Sequence, residues 1–462
     1  MPTLGVIADD FTGATDVASM LVRGGMRTVQ LIGLPGAAGT QVAEAADAVV
    51  VALKSRTVPA AEAVAQSLAA WRWLRAAGAT RCYFKYCSTF DSTAAGNIGP
   101  VAEALMAELG TDFTIACPAF PENGRTIFRG HLFVGDQLLS DSGMRDHPLT
   151  PMRDSNLVRV LQAQCRPGTR VGLLRYDTVA RGAAAVRERI AALRAEGVRI
   201  AIADALHDDD LRTLADGCAD LPLLTAGSGV ALGLPELFER QGLLRRRADA
   251  AGLDAMRGPA VVLAGSCSVA TNGQVAHWKQ NGWPARALDV RALLRGGADA
   301  AAEEAAVLAW ARDVLAGGSP RAQGAPGMPG EGGVRGDAVP DLAAVPLVYS
   351  TTSPAELAAT QAEAGAQRAG ECVEAALASI ARALAADGVQ RWVVAGGETS
   401  GAVVQALGVQ ALRIGPTICP GVPWTQAAGG PGGAGAARPL WLALKSGNFG
   451  APDFFSAALR VA

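Results

Sequence analysis

Two adjacent carboxylates, Asp9 and Asp10, follow the apolar run Leu4-Gly5-Val6-Ile7-Ala8 and precede Phe11-Thr12-Gly13. Burying either charge is costly unless a partner or a ligand compensates it. Three further apolar runs end in polar residues of complementary kind. Lys54, Ser55 and Arg56 close the run at 48–53; Lys85, Ser88, Thr89 and Asp91 close the one at 81–86; Asn123, Gly124 and Arg125 follow the one at 113–120. Carboxylates beside Lys, Arg and hydroxyls suit a small, polyhydroxylated anion. An arginine fork can hold a carboxylate, and an aspartate accepts hydrogen bonds from sugar hydroxyls. One acid of the pair can take the proton of a reacting hydroxyl while the other holds substrate or a magnesium ion. Any one of these ends alone reads better as solvated loop charge, or as Asp10 capping the next helix through the amides of Thr12 or Gly13. Four at one edge point to a site.

The C-terminal half has a different texture. "VVLAGSCS" runs through Gly265, Ser266, Cys267 and Ser268 towards a helix expected to open near Thr271. "WVVAGGETSGAVVQAL" does likewise through Gly396, Gly397, Glu398, Thr399, Ser400 and Gly401, and "ALKSGNFG" adds a turn at Gly447 and Gly450. Small residues between a strand and a helix N-terminus let backbone N–H groups approach an anion, and the helix dipole favours negative charge there. Three such turns point to a phosphate cradle. Neither Lys54-Ser55 nor Lys445-Ser446 has the glycine of a Walker A motif. Gly430-x-Gly432-x-x-Gly435 matches the dinucleotide fingerprint only formally, lacking a strand before it and a helix after it. An acid-lined pocket in one half and a phosphate cradle in the other suggest phosphoryl transfer, a chemistry of positioning, charge neutralisation and a base for the acceptor hydroxyl.

These residues need a scaffold that brings strand ends together. The apolar runs "TLGVIA", "RTVQLIG", "DAVVVAL", "RCYFKY" and "FTIACPAF" read as strands and alternate with helical stretches such as "AAEAVAQSLAAWRWLRAAG". Such alternation predicts an α/β fold: two domains, each a mainly parallel sheet covered by helices, with ligands beyond the carboxyl ends of the strands and the active site in a cleft between the domains. The charged stretch Glu239–Gly258 marks the boundary, giving a substrate domain over 1–240 and a second domain over 258–462. Gly/Pro-rich segments at 317–340 and 427–439 read as mobile surface insertions.

Composition excludes several classes. The 462 residues carry a net charge of −2 without a basic stripe, which argues against nucleic acid as partner. No apolar run reaches the ~18 residues of a membrane helix, and no leader precedes the first strand, so a soluble, cytoplasmic protein is expected. The eight cysteines form no CxxC pair and read as buried free thiols. Asp9 and Asp10 lack the Asp-x-Asp spacing that a haloacid-type phosphohydrolase needs.

Taken together, "IADDFTGATD", "FKYCSTFDST", "AGSCSVAT", "VVAGGETSGAV" and "LALKSGNFG" resemble the four-carbon acid sugar kinase family, in this order and over nearly the whole chain. The resemblance implies an N-terminal sugar-acid domain, a C-terminal ATP domain, and ATP-dependent phosphorylation of the C4 hydroxyl of a four-carbon sugar acid, with Mg2+. The "GSCS" and "KSGNFG" segments are most similar to members acting on 3-oxo-tetronate, with threonate and erythronate as the alternative acceptors. The implied ATP contacts are Ser266, with Ser268 as a possible second, then Gly396, Gly397, Glu398, Thr399 and Gly447. Acid binding is expected at Lys54, Arg56, Lys85, Ser88, Thr89 and Arg125, and catalysis at Asp10, with Asp9 beside it. A sugar-acid sensor without catalysis is the reading from another class.

Overall fold

The computed structural model describes residues 2–147, 149–317, 341–350, 365–428 and 438–461. Both Gly/Pro-rich segments, and with them Gly430, Gly432 and Gly435, fall almost wholly outside the described residues. The chain divides into two compact units, one of 1–252 with 410–415, the other of 253–409 with 416–462. The changeover thus lies within the charged stretch read as a boundary, and a short segment near residue 410 returns to the first unit. It does so because Ala411–Arg413 pairs antiparallel with an edge strand of that unit.

Unit 1 contains β1 (Leu4–Ala8), β2 (Thr28–Ile32), β3 (Ala48–Ala52), β4 (Arg81–Lys85), β5 (Thr114–Cys117), β6 (Arg125–Phe128), β7 (His131–Val134), β8 (Gln137–Leu138), β9 (Arg170–Leu174), β10 (Val198–Ala203) and β11 (Leu223–Ala226). Eight of them form a parallel sheet in the order β2-β3-β1-β4-β11-β5-β10-β9. β1 lies mid-sheet, every residue of it buried, which explains its unbroken apolar sequence. Helix α1 (Phe11–Arg23) follows it directly and is buried along Phe11–Val22. In register, Ala8 stands beside Ala52 on one side and Lys85 on the other, so three of the polar strand ends share one edge. β6, β7 and β8 form a separate antiparallel sheet that the helix–strand alternation does not foreshadow.

Unit 2 contains β12 (Ala260–Ala264), β13 (Ala285–Ala287), β14 (Leu347–Tyr349), β15 (Arg391–Ala395), β17 (Val422–Ala428) and β18 (Trp441–Lys445), while β16 (Ala411–Cys419) begins in the 410–415 segment assigned to unit 1. The strands β13-β14-β12-β15-β18 run parallel, and β17 joins β18 antiparallel. Val262, Val393 and Ala443 pack with Trp278, Trp424 and Trp441 in its core. Each fully buried apolar side chain of this size contributes about 1.5–3 kcal/mol, which fixes the strand ends that carry polar residues. Ala264, Ala395 and Lys445 end three neighbouring strands in register.

All eight cysteines are free. Cys82, Cys117 and Cys218 are buried, while the other five are only partly covered, fewer buried thiols than their apolar surroundings suggest. Among the described residues no helix is long and apolar enough to cross a membrane.

Candidate functional site

At the end of β1 the two acids meet one arginine. Arg56 grips Asp9 with Nε–Oδ2 at 2.9 Å and Nη2–Oδ1 at 2.8 Å. The same Nη2 lies 2.8 Å from Asp10 Oδ1, and Nη1 lies 3.6 Å from Asp91 Oδ2. Strand alternation would send Asp9 and Asp10 to opposite faces, but both converge on Arg56. β1 ends at Ala8, and beyond it the chain already turns into α1, where the two-residue period no longer applies. The fork of Arg56 is therefore filled by Asp9 and not offered to a ligand carboxylate, as the sequence suggested. Asn97 fixes the Arg56 segment, its Nδ2 donating to the carbonyls of Ser55 at 2.7 Å and Arg56 at 3.1 Å.

Asp10 has two tasks. It caps α1, accepting from Gly13 N–H at 3.0 Å and from Thr12 Oγ1 at 3.0 Å. It also faces Lys85, whose Nζ is 3.7 Å from Oδ1. The Asp10 side chain is 21% exposed and that of Asp9 only 3%. Only Asp10 thus presents a carboxylate that a ligand can reach. Burial would raise its pKa, but Arg56, Lys85 and the bonds from Thr12 and Gly13 outweigh burial and hold the group below its ordinary value. Burial pushes Asp9 up against the opposing pull of Arg56. Gly13 makes the cluster possible: a Cβ there would stand 1.9 Å from Lys85 Nζ and 2.2 Å from Asp10 Oδ1.

The segment after β4 closes the group. Ser88, Thr89 and Asp91 are all buried, and Thr89 Oγ1 donates to Asp91 Oδ1 at 2.7 Å. Phe90 and Asp91 hold φ of 65° and 45°, a left-handed pair that costs of order 1–3 kcal/mol per residue and tends to accompany functional constraint. Arg125, whose pKa burial lowers, is felt electrostatically by Cys87, Asp91 and Asp16, so it belongs to the same cluster. Lys54 is exposed at the surface beside it.

The sequence reading missed Asp16, although an acid within a wholly buried helix is itself a signal. Its Oδ2 accepts from Ser228 Oγ at 2.6 Å, and Oδ1 has no partner among the described residues. Burial pushes this carboxyl from 3.8 up to about 7, against Lys85 and Ser228. Between those values the native state holds a proton that the unfolded chain has lost, so this group makes stability fall as pH rises from about 4 to about 7. Asp16→Asn is expected to flatten that slope. Urea midpoints of both proteins at pH 4.5 and pH 7.5 check it, and an unchanged slope would contradict the assignment.

In unit 2 the turns after β12, β15 and β18 stand side by side. Ser266 N–H donates to Ala395 O at 3.3 Å, and Gly396 N–H donates to Lys445 O at 2.8 Å. Helix α2 (Val269–Gln280) opens two residues earlier than expected, because Ser268 is its N-cap and accepts from Thr271 N–H at 3.2 Å. Ser268 Oγ also donates to Gly447 O at 2.6 Å, while Ser266 Oγ accepts from Ser268 N–H at 3.2 Å. Ser268 thus builds the turn, and Ser266 lines it. Thr271 and Gln274 continue the clasp: Thr271 Oγ1 donates to Gly447 O at 2.9 Å and Gln274 Nε2 to Phe449 O at 2.9 Å.

Helix α3 (Gly397–Ala406) opens after Gly396, whose φ of 127° few side chains tolerate. A Cβ at Gly396 would lie 2.9 Å from Thr399 Oγ1 and 3.3 Å from Ser266 N, and one at Gly447 2.5 Å from Ser266 Oγ. Thr399 is buried, and Glu398, in the first turn, is exposed. Glycine at these points therefore lets the turns close onto the Ser266 and Thr399 segments with their hydroxyls, as a tight phosphate cradle demands. Gly396→Val is expected to raise the KM for ATP roughly 10–100-fold through strain, leaving that for the acceptor within about twofold. Steady-state kinetics with each substrate varied check this, and equal effects on both would make the turn merely structural. Among the described residues no group of three His, Cys, Asp or Glu side chains could hold a metal ion.

Comparison with known proteins gives two successive matches along the chain. Residues 4–234 match the model of a sugar-binding N-terminal domain, and residues 261–322 and 336–455 that of a nucleotide-binding C-terminal domain. A protein of Cupriavidus necator named 3-oxo-tetronate kinase is 62% identical over 99% of this chain and 97% of its own. One of the same name from Salmonella typhimurium is 45% identical over 100% and 99%. A solved structure from Salmonella typhimurium, provisionally described as a tRNA synthase, is 44% identical over 99% of each chain with a TM-score of 0.79. Another, from Haemophilus influenzae, is 42% identical over 98% of each chain with a TM-score of 0.69.

Proposed function

We propose a reaction from one premise: the chain belongs to the four-carbon acid sugar kinase family. It is an ATP-dependent kinase that phosphorylates the C4 hydroxyl of a four-carbon sugar acid, and 3-oxo-tetronate is the acceptor, yielding 3-oxo-tetronate 4-phosphate. The acceptor is taken from the relatives' name, and the reaction class from the residues. The observation that carries the reading is one ionised, reachable carboxylate, Asp10, in the sugar-binding unit of a chain whose other unit holds a glycine-lined cradle.

In this reading the hydroxyl oxygen attacks the γ-phosphorus and its proton passes to Asp10. The bond to the β,γ-bridging oxygen breaks, and ADP leaves. Arg56 holds both acids in place, and Lys85 faces the substrate's negative charge. Ser88, Thr89 and Arg125 contact the acid's hydroxyl and carboxylate oxygens, with Lys54 at the rim. Backbone N–H groups of Gly397, Glu398, Thr399 and Gly447 receive the phosphates, in turns that Ser266, Ser268 and Gly396 shape through their own hydrogen bonds. Mg2+ bound with the nucleotide would offset the charge of its phosphates. The cytoplasm supplies ATP and is the compartment of the reaction.

Release of ADP from Mg-ATP, measured with 3-oxo-tetronate, D-threonate and D-erythronate, tests the reading. The highest kcat/KM is expected for the 3-oxo acid. A preference for threonate or erythronate would reassign the acceptor, and tight acid binding without ADP release would make the protein a sensor.

A further inference from the structure

Lys445, the last residue of β18, is fully buried, yet no carboxylate lies within ion-pair distance of it among the described residues. Its ammonium has three N–H donors, and three acceptors receive them: Ser446 O at 2.8 Å, Gly447 O at 2.8 Å and Thr271 Oγ1 at 3.1 Å. Gly447 O takes the Ser268 and Thr271 hydroxyls as well, so one carbonyl is drawn inward from three sides. The peptide bonds are trans, and across a trans peptide the N–H points away from the C=O. With the carbonyls of Ser446 and Gly447 turned to the ammonium, the N–H groups of Gly447 and Asn448 are directed to the opposite side. Two successive N–H groups turned to one side of a tight turn, which Phe449 N–H closes on Ser446 O at 3.2 Å, can receive an anion.

We propose that Lys445 is a positioning residue for the nucleotide, orienting the Ser446–Gly447 turn so that its amides face the phosphates and supplying the buried positive charge that those phosphates balance. The inference rests on the nucleotide reading above and adds to it a residue that the glycine turns alone do not indicate. A buried cation without an acid is expensive by itself, and an anionic ligand removes that cost. The state of the amine agrees. Burial pulls it from 10.5 down to about 7, with only the Cys419 thiol acting the other way. The other titratable or charged groups on the elements packed around it are Arg391 of β15, His277 and Lys279 of α2, Glu398 of α3, and Asp453 and Arg460 at the two ends of the helix Phe454–Arg460.

Binding of ATP should therefore raise the affinity of Lys445 for its proton. If the phosphates lift its pKa by two units, the full-length protein takes up roughly 0.8 proton per ATP at pH 8 and its Kd rises several-fold to tenfold per unit between pH 7 and 9. Calorimetry of Mg-ATP binding at pH 6.5 and pH 8, in two buffers of different ionisation enthalpy, reads both quantities on the wild type, with no variant needed. Lys445→Met is expected to abolish the uptake and weaken ATP binding about 100-fold at pH 6.5. Lys445→Arg, charged throughout this range, should bind ATP far better than Lys445→Met and without the pH dependence. Wild-type binding with no proton uptake would overturn the inference, as would uptake or affinity that survives in Lys445→Met. Should Lys445→Met not fold, Lys445→Arg decides: uptake that persists there assigns the proton to another group and overturns it. A folded wild type that binds no ATP would instead defeat the nucleotide reading itself.

Discussion

Replacing Asp10 by Asn is expected to lower kcat roughly 10²–10⁴-fold, the usual worth of a positioned general base, while the KM for the acid changes little. Asparagine keeps the shape and remains a good N-cap, so α1 retains its bond from Gly13 N–H and the folded state survives. Only the capacity to receive a proton is lost. Asp9→Asn should act differently, because Asp9 is buried under the Arg56 fork and its loss weakens the scaffold more than the chemistry. Stopped assays on both variants, with circular dichroism to verify folding, separate the cases. A dead Asp9→Asn beside a fully active Asp10→Asn would exchange their roles. Full activity in both would reduce the pair to a helix cap and a structural ion pair.

Arg56→Ala carries the second large effect. It removes the one cation among the described residues that touches Asp9, Asp10 and, at 3.6 Å, Asp91. Breaking a buried pair from one side leaves a charge without compensation and costs roughly 3–5 kcal/mol. Unfolding in urea should show a loss of that order, together with near-complete loss of turnover. The double variant Arg56→Ala/Asp9→Asn should recover part of the stability, since the stranded charge is gone, but none of the turnover. Stability that falls further in the double variant would mean that Asp9 is held by contacts other than Arg56.

Much of this was legible from residue types, and the reason is physical. A strand buried on both faces must be apolar throughout, so β1, β3 and β12 announce themselves, and polar residues can begin only where the strand stops. Asp9, Asp10, Arg56 and Lys85 stand out on that ground. Which acid pairs with which base was not legible, because it depends on how the chain turns after Ala8. Alternation along a strand says nothing about the first residue beyond it. Ser266 and Ser268 could not be told apart for a similar reason: the helix start decides which hydroxyl caps, and it lies at Val269 rather than near Thr271. Asp16 was not picked out, and Lys445 was weighed only against the Walker A motif, because it is their burial that makes them unusual. The antiparallel β6-β7-β8 sheet carries too few residues per strand for any period to register.

The identity of the product tests the central claim most directly. The purified protein is incubated with Mg-ATP and 3-oxo-tetronate, and the mixture is followed by phosphorus and proton NMR. The account predicts one new phosphomonoester resonance, coupled to the two C4 protons of the acid and growing one for one with ADP. A phosphorus signal coupled elsewhere on the carbon chain, or ADP formed with inorganic phosphate and no ester, would contradict it.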